Sequence, residues 1–130
     1  KEIRMDNEKK TQNAVMRYLA TRDDLRFWRQ NTGKAVSIAA VRRALELAAS
    51  GDYAGAMALA NRSIMAFGTV GQADIGGILG PSGRRIEVEI KTPIGRQSDV
   101  QKTYQAMIER FGGMYVVARN VDDVKEALDG

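Results

Sequence analysis

Glu87, Glu89 and Lys91 alternate along the segment IEVEIKT, residues 86–92. Residues with period two share one face of a β-strand, so the three charges point one way and Ile86, Val88 and Ile90 point the other. Two acids and a base on one face are costly inside a protein unless something compensates the charge. A divalent cation held by the carboxylates beside the lysine does so. Asp74, in GQADIGG (residues 71–77), is a further acid for that ion. The chemistry open to such a set is metal-assisted hydrolysis of a phosphodiester.

The residues that are missing narrow the choice further. The chain has no cysteine and no histidine, which excludes disulfides, thiolate zinc sites, thiol nucleophiles and histidine-based hydrolysis. Any metal must be bound by oxygen, which favours hard ions such as Mg²⁺ or Mn²⁺. A length of 130 residues fits one domain with a real core, and 44% hydrophobic with 28% charged residues is ordinary for a globular chain. The net charge of +4 suits a polyanionic partner but does not identify one. No apolar run approaches the roughly 20 residues of a membrane span, and no signal-peptide pattern opens the chain, so neither a membrane nor a secreted setting is expected.

The charged strand needs neighbours to position it. Asp6 or Asn7 can cap a first helix running to about Ala20, with Val15, Met16 and Leu19 facing inward. Residues 25–30 read as a strand that breaks at residues 31–33. An alanine-rich stretch over residues 36–60 is split by SGD (residues 50–52) into two helices. Residues 64–67 and 73–79 read as strands, and PSG (residues 81–83) turns the chain into the charged strand, residues 85–92. Ser98 and Gln101 form an S-x-x-Q capping box for a helix to Phe111, with Val100, Tyr104, Met107, Ile108 and Phe111 as its apolar stripe. Residues 114–118 are nearly all apolar, as in a strand covered on both faces, and Asn120 caps a last helix to about Leu128. The order predicts an α/β fold with a mixed central sheet flanked by helices, the charged strand central, and an inserted helical pair at about residues 35–60 of a single domain spanning 1–130.

These residues carry a family resemblance. Asp74 followed by Glu89-x-Lys91 resembles the D…(D/E)-x-K signature of the PD-(D/E)XK nucleases, with Ala73 where the name has proline. The chain is similar in particular to the virus-type replication-repair (VRR-NUC) branch. Glu8 lies in the first helix, WRQNTG (residues 28–33) ends the first strand, and G-x-x-D-I-x-G runs from Gly71 to Gly77. E-x-K-x-x-x-G-R then runs from Glu89 to Arg96, and a helix opens with Gln101. All occur in the family's order and cover nearly the whole chain apart from the insertion.

The resemblance implies a restriction-endonuclease-like core and a Mg²⁺- or Mn²⁺-dependent deoxyribonuclease. Asp74, Glu89 and the backbone carbonyl of Ile90 would hold the ion, and Glu8 would approach the ion or its water. Lys91 would orient or deprotonate the attacking water, with Gln101 near it. Each role has a plainer rival. Asp74 and Glu89 could be solvated strand carboxylates, Lys91 a salt-bridge partner of Glu87 or Glu89, Glu8 a first-turn acid favouring the helix dipole, and Gln101 only a cap. Glu87 reads as a supporting or exposed acid, and Trp28 as core more often than a stacking surface. Arg29, Asn31, Arg96 and Lys102 are candidate phosphate contacts.

Small free-standing members of the branch resemble Holliday-junction resolvases, which work as two-fold homodimers on branched DNA. The expectation is therefore a structure-specific DNA endonuclease of a bacterial or phage-infected cell's cytoplasm, resolving four-way junctions in DNA repair. A flap or duplex-end nuclease is the second reading, and a non-catalytic DNA-binding accessory module the third. The insertion could decorate the body, pair two copies or wedge between DNA arms.

Overall fold

The structure, a computed structural model, describes residues 2–30 and 33–130. In chain order the elements are α1 (Glu2–Ala20), β1 (Leu25–Arg29), β2 (Gly33–Ala35), α2 (Ile38–Ala49), α3 (Tyr53–Ser63) and β3 (Met65–Phe67). They continue with β4 (Ile75–Leu79), β5 (Arg84–Ile90), α4 (Asp99–Arg110), β6 (Met114–Ala118) and α5 (Val121–Asp129). The chain divides into two compact units, Lys1–Gln30 with Val70–Gly130, and Asn31–Thr69.

The first unit is mixed α/β, built on a four-stranded sheet of order β1-β4-β5-β6. β5 pairs antiparallel with β4 and parallel with β6, so the charged strand is central, as its apolar neighbours in sequence suggested. The parallel pair needs a crossover, and α4 supplies it. One sheet face carries Ile86, Val88, Ile90, Val116 and Ala118, packed under Val15 and Leu19 of α1 and Val124 of α5. The opposite face carries Tyr115, which packs with Ala73 and with Ile108 of α4. Burying one such aliphatic side chain contributes about 1.5–3 kcal/mol, so the aliphatic face anchors β5 while its other face is free to carry chemistry. α4 opens on the expected capping box, with both reciprocal bonds present.

Several boundaries differ from expectation. α1 begins at Glu2, not at Asp6 or Asn7, because Asp and Asn cost only a few tenths of a kcal/mol inside a helix whose inner face packs well. Glu8 therefore sits past the first turn, where the macrodipole has faded, and the dipole no longer accounts for it. β4 begins at Ile75, which leaves Asp74 just outside the ladder.

The second unit pairs β2 with β3 as a two-stranded antiparallel ribbon and packs α2 against α3. β2 is three residues of GKA, too short for a period-two signal, and was not expected. The two helices break at residues 50–52 as anticipated, with Asp52 capping α3 through its bond from the Gly55 amide. Among its described residues only Ala56 is buried, while Leu45, Tyr53 and Met57 are largely exposed.

Candidate functional site

β5 brings two carboxylates to its second face, and both are out of solvent: Glu87 is 0% and Glu89 4% exposed. Glu87 lies opposite Gly76 of β4 and Tyr115 of β6, and Glu89 opposite Val117. The two acids are treated in opposite ways.

Glu87 is saturated. Arg85 Nε donates to its Oε2 at 2.6 Å, while Gln30 Nε2 and the Tyr104 hydroxyl donate to its Oε1 at 2.8 and 3.0 Å. Charge-assisted bonds of this kind are the strong ones, and they supply what burial removes. Burial, then the charge of Glu87, pushes Tyr104 up to about 12, so its hydroxyl stays a donor at neutral pH. The exposed role considered for Glu87 is thus overturned, and its ion-pair partner is Arg85, not Lys91.

Glu89 is not saturated. Its Oε2 has no hydrogen-bond partner among the described residues. Burial, then the negative charge of Asp74, pushes its carboxyl up to about 9; Lys91 opposes the shift and Glu8 adds weakly to it. Two carboxylates that repel one another in a dry place have a strong need for a cation or a proton. The neighbouring Tyr115 hydroxyl is likewise buried and without a partner among the described residues, as is Thr92 Oγ1.

Asp74 is half-buried, and its Oδ2 accepts the Ile90 amide at 2.8 Å. That bond ties the segment before β4 to the end of β5. Gly71, three residues earlier, has φ +81°, and a Cβ there would lie 2.7 Å from the Val100 carbonyl oxygen of α4. Only glycine suits that position, which explains the first residue of the G-x-x-D segment. Lys91 is half-buried one residue past β5; its amide donates to Ala118 O at 3.0 Å, extending the β6 pairing by one step.

The structure thus brings Asp74, Glu89 and Lys91 into one electrostatic neighbourhood, with Glu8 at its edge. Gln101 spends its side-chain oxygen on the cap, accepting Ser98 N at 3.0 Å. Arg29 is exposed at the end of β1, and Arg96 and Lys102 are exposed, Arg96 after β5 and Lys102 on α4. Asn31 lies outside the described residues. Trp28 is not core: it is 42% exposed, with the Arg85 guanidinium 5.0 Å from its ring. β1 is an edge strand and the residue opposite Trp28 is Gly76, which offers no side chain to bury the ring.

Sequence reasoning missed Gln30, Arg85, Tyr104 and Tyr115. A period-two reading of β1 places Gln30 on the same face as Trp28, but no local pattern links it to Glu87, 57 positions away.

Among the described residues no three acidic side chains gather as a metal-binding group. The fit of an ion rests instead on the chemistry of the donors present: two mutually repelling oxygen donors, one with an orphaned buried oxygen, beside a lysine. Such a set suits a hard cation whose other positions are filled by backbone carbonyl and water. No family model matches the chain, and no curated protein or solved structure matches it.

Proposed function

We propose that the chain is a metal-dependent, structure-specific DNA endonuclease. The observation that carries the reading is Glu89: a buried carboxylate with an unpartnered oxygen, held beside Asp74 and Lys91 on a central strand. A module that only binds DNA has no use for so costly an arrangement.

Asp74, Glu89 and the Ile90 carbonyl are the groups that would hold Mg²⁺ or Mn²⁺, with Glu8 toward its water. When bound, the ion supplies Lewis-acid polarisation of a phosphodiester and eases ionisation of water. The protein's own contribution is positional and electrostatic. The Ile90 amide fixes the Asp74 carboxylate by its Oδ2. Lys91 orients the attacking water, receives or restrains its proton, and stabilises charge on the phosphate. Gln101, on the first turn of α4, lies near that water. Arg29, Asn31, Arg96 and Lys102 contact backbone phosphates and set the register of the duplex.

The proposed substrate is a four-way junction cut by a homodimer, since symmetric resolution needs two sites. The exposed apolar side chains of α2 and α3 support self-association, because a unit of this size buries too little surface alone. A flap-cutting reading has one observation in its favour: the exposed Trp28 ring, backed by Arg85, suits an unpaired base.

Cleavage of labelled four-way junctions, 5′ flaps and linear duplex with Mg²⁺ or Mn²⁺, alongside Lys91→Ala, tests the assignment. Wild type is expected to cut the junction; equal inertness of both proteins on every substrate with either metal removes the nuclease reading. Sedimentation decides the assembly, a monomer at working concentration favouring flaps.

A further inference from the structure

Gln30 occupies a position that no catalytic motif singles out, yet its backbone N–H and both polar atoms of its side chain are used. Its amide N–H donates to Asp74 O at 2.8 Å, and its Nε2 donates to Ala73 O at 3.2 Å. It therefore grips the backbone carbonyls on both sides of the Asp74 Cα. The same Nε2 donates to Glu87 Oε1 at 2.8 Å, and Oε1 accepts Arg85 Nη2 at 2.6 Å. The three bonds assign the orientation of the side-chain amide, since the reverse placement would set its oxygen against two other oxygens.

β4 is shaped to admit this side chain. A Cβ on Gly76 would lie 2.6 Å from Gln30 Cδ and Oε1, and 2.8 Å from Arg85 Nη2. Glu87 is itself held by Arg85 and by Tyr104 of α4, so the side chain of Gln30 is located from three elements at once. Asp74 lies outside the β4 ladder, and the bond from Ile90 N to its Oδ2 is its other hold on the sheet.

We propose that Gln30 is the positioning residue of the candidate site, fixing the Asp74 backbone so that its carboxylate faces Glu89 and stays on the Ile90 amide. Glu87, Arg85 and Gly76 act through it. None of the four touches substrate. The half-buried ion pair of Arg85 and Glu87 thereby has a reason to be kept: it aligns the clamp that seats a ligand, and the seating is what a cation would feel. This inference rests on the reading of Asp74 as a metal ligand, but the clamp on the Asp74 backbone can be measured without it.

Gln30→Leu, one bond shorter, removes the side-chain donors and the acceptor and leaves the backbone N–H bond to Asp74 O in place. Two readouts are taken on the full chain: Mn²⁺ affinity by calorimetry, and hydrogen exchange of the Ile90 amide by NMR. Val124→Ala, in the core on the opposite face, is the control for lost stability. Gln30→Leu is expected to bind Mn²⁺ about tenfold more weakly and to exchange the Ile90 amide about tenfold faster, as for loss of a group that orients a ligand. Val124→Ala changes Mn²⁺ affinity less than twofold in the same buffer. Gly76→Ala, which crowds the Gln30 amide without removing any of its polar groups, shifts both readouts in the direction of Gln30→Leu. Mn²⁺ affinity in Gln30→Leu within twofold of wild type, or a loss matched by Val124→Ala, overturns the proposal. If wild type binds no Mn²⁺, the metal reading fails and the clamp is judged on Ile90 exchange alone: faster exchange than in Val124→Ala supports it, unchanged exchange overturns it.

Discussion

Glu87 and Glu89 share a strand, a face and a degree of burial, but they belong to two chemically different ends of that face. Around Glu87 every oxygen is met by a donor, one of them cationic. Around Glu89 one oxygen meets none among the described residues, and the nearest acid repels it. The comparison teaches that burial alone does not mark a functional carboxylate. What distinguishes Glu89 is that the protein leaves its charge uncompensated where it could have closed the network, as it does two residues away.

The largest effect that could break this contrast is on cleavage. Glu89→Gln or Lys91→Ala is expected to lower the rate by about 10²–10³-fold, because each removes a group acting on the reacting atoms. Glu87→Gln retains an acceptor for Gln30 and Tyr104 and should lower it far less. Equal losses at 87 and 89 would mean the two ends are one functional unit.

Stability should rank the same two residues in reverse. Glu87→Ala strands Gln30, Arg85 and Tyr104 together and is expected to cost about 3 kcal/mol in urea unfolding. Glu89→Gln, measured without metal at pH 8, should cost nothing or stabilise the fold. A destabilised Glu89→Gln of similar size would show that its carboxylate is structurally satisfied after all.

The pH dependence gives the finest test. The carboxyl of Glu89 sits at about 9 in the folded chain against an ordinary 4.5. The folded state therefore holds the proton more tightly, and Glu89 contributes stability that is complete below the ordinary value and is lost as pH rises toward 9. The slope is at most about 1.4 kcal/mol per pH unit. Metal-free wild type should lose stability between pH 6 and pH 8.5 relative to Glu89→Gln. Parallel melting curves for the two proteins across that range would contradict the burial and charge argument.

How much of this was readable from the chain differs by element. The charged strand was, because period two is a local signal and its seven residues lie between apolar runs. The capping box at Ser98 and Gln101 was, because both partners lie within one turn. The start of α1 was not, since packing overrode the capping preference of Asp6 and Asn7. Nor was the burial of Glu87, whose partners come from β1 and α4 and share no spacing with it. Trp28 was misjudged for a related reason: its exposure depends on which strand ends at the sheet edge and on a glycine opposite, neither of which residue type reveals. Local order fixes which groups lie along one strand face; the sheet order decides which of them are left unsatisfied.

Trp28 is the only tryptophan in the chain, and its ring lies against the guanidinium that also grips Gln30 and Glu87. Its emission is consequently a native optical gauge of that network. A slackened Arg85 would leave the indole in a different electrostatic and hydrated setting, so the state of the clamp can be followed in solution without attaching a dye.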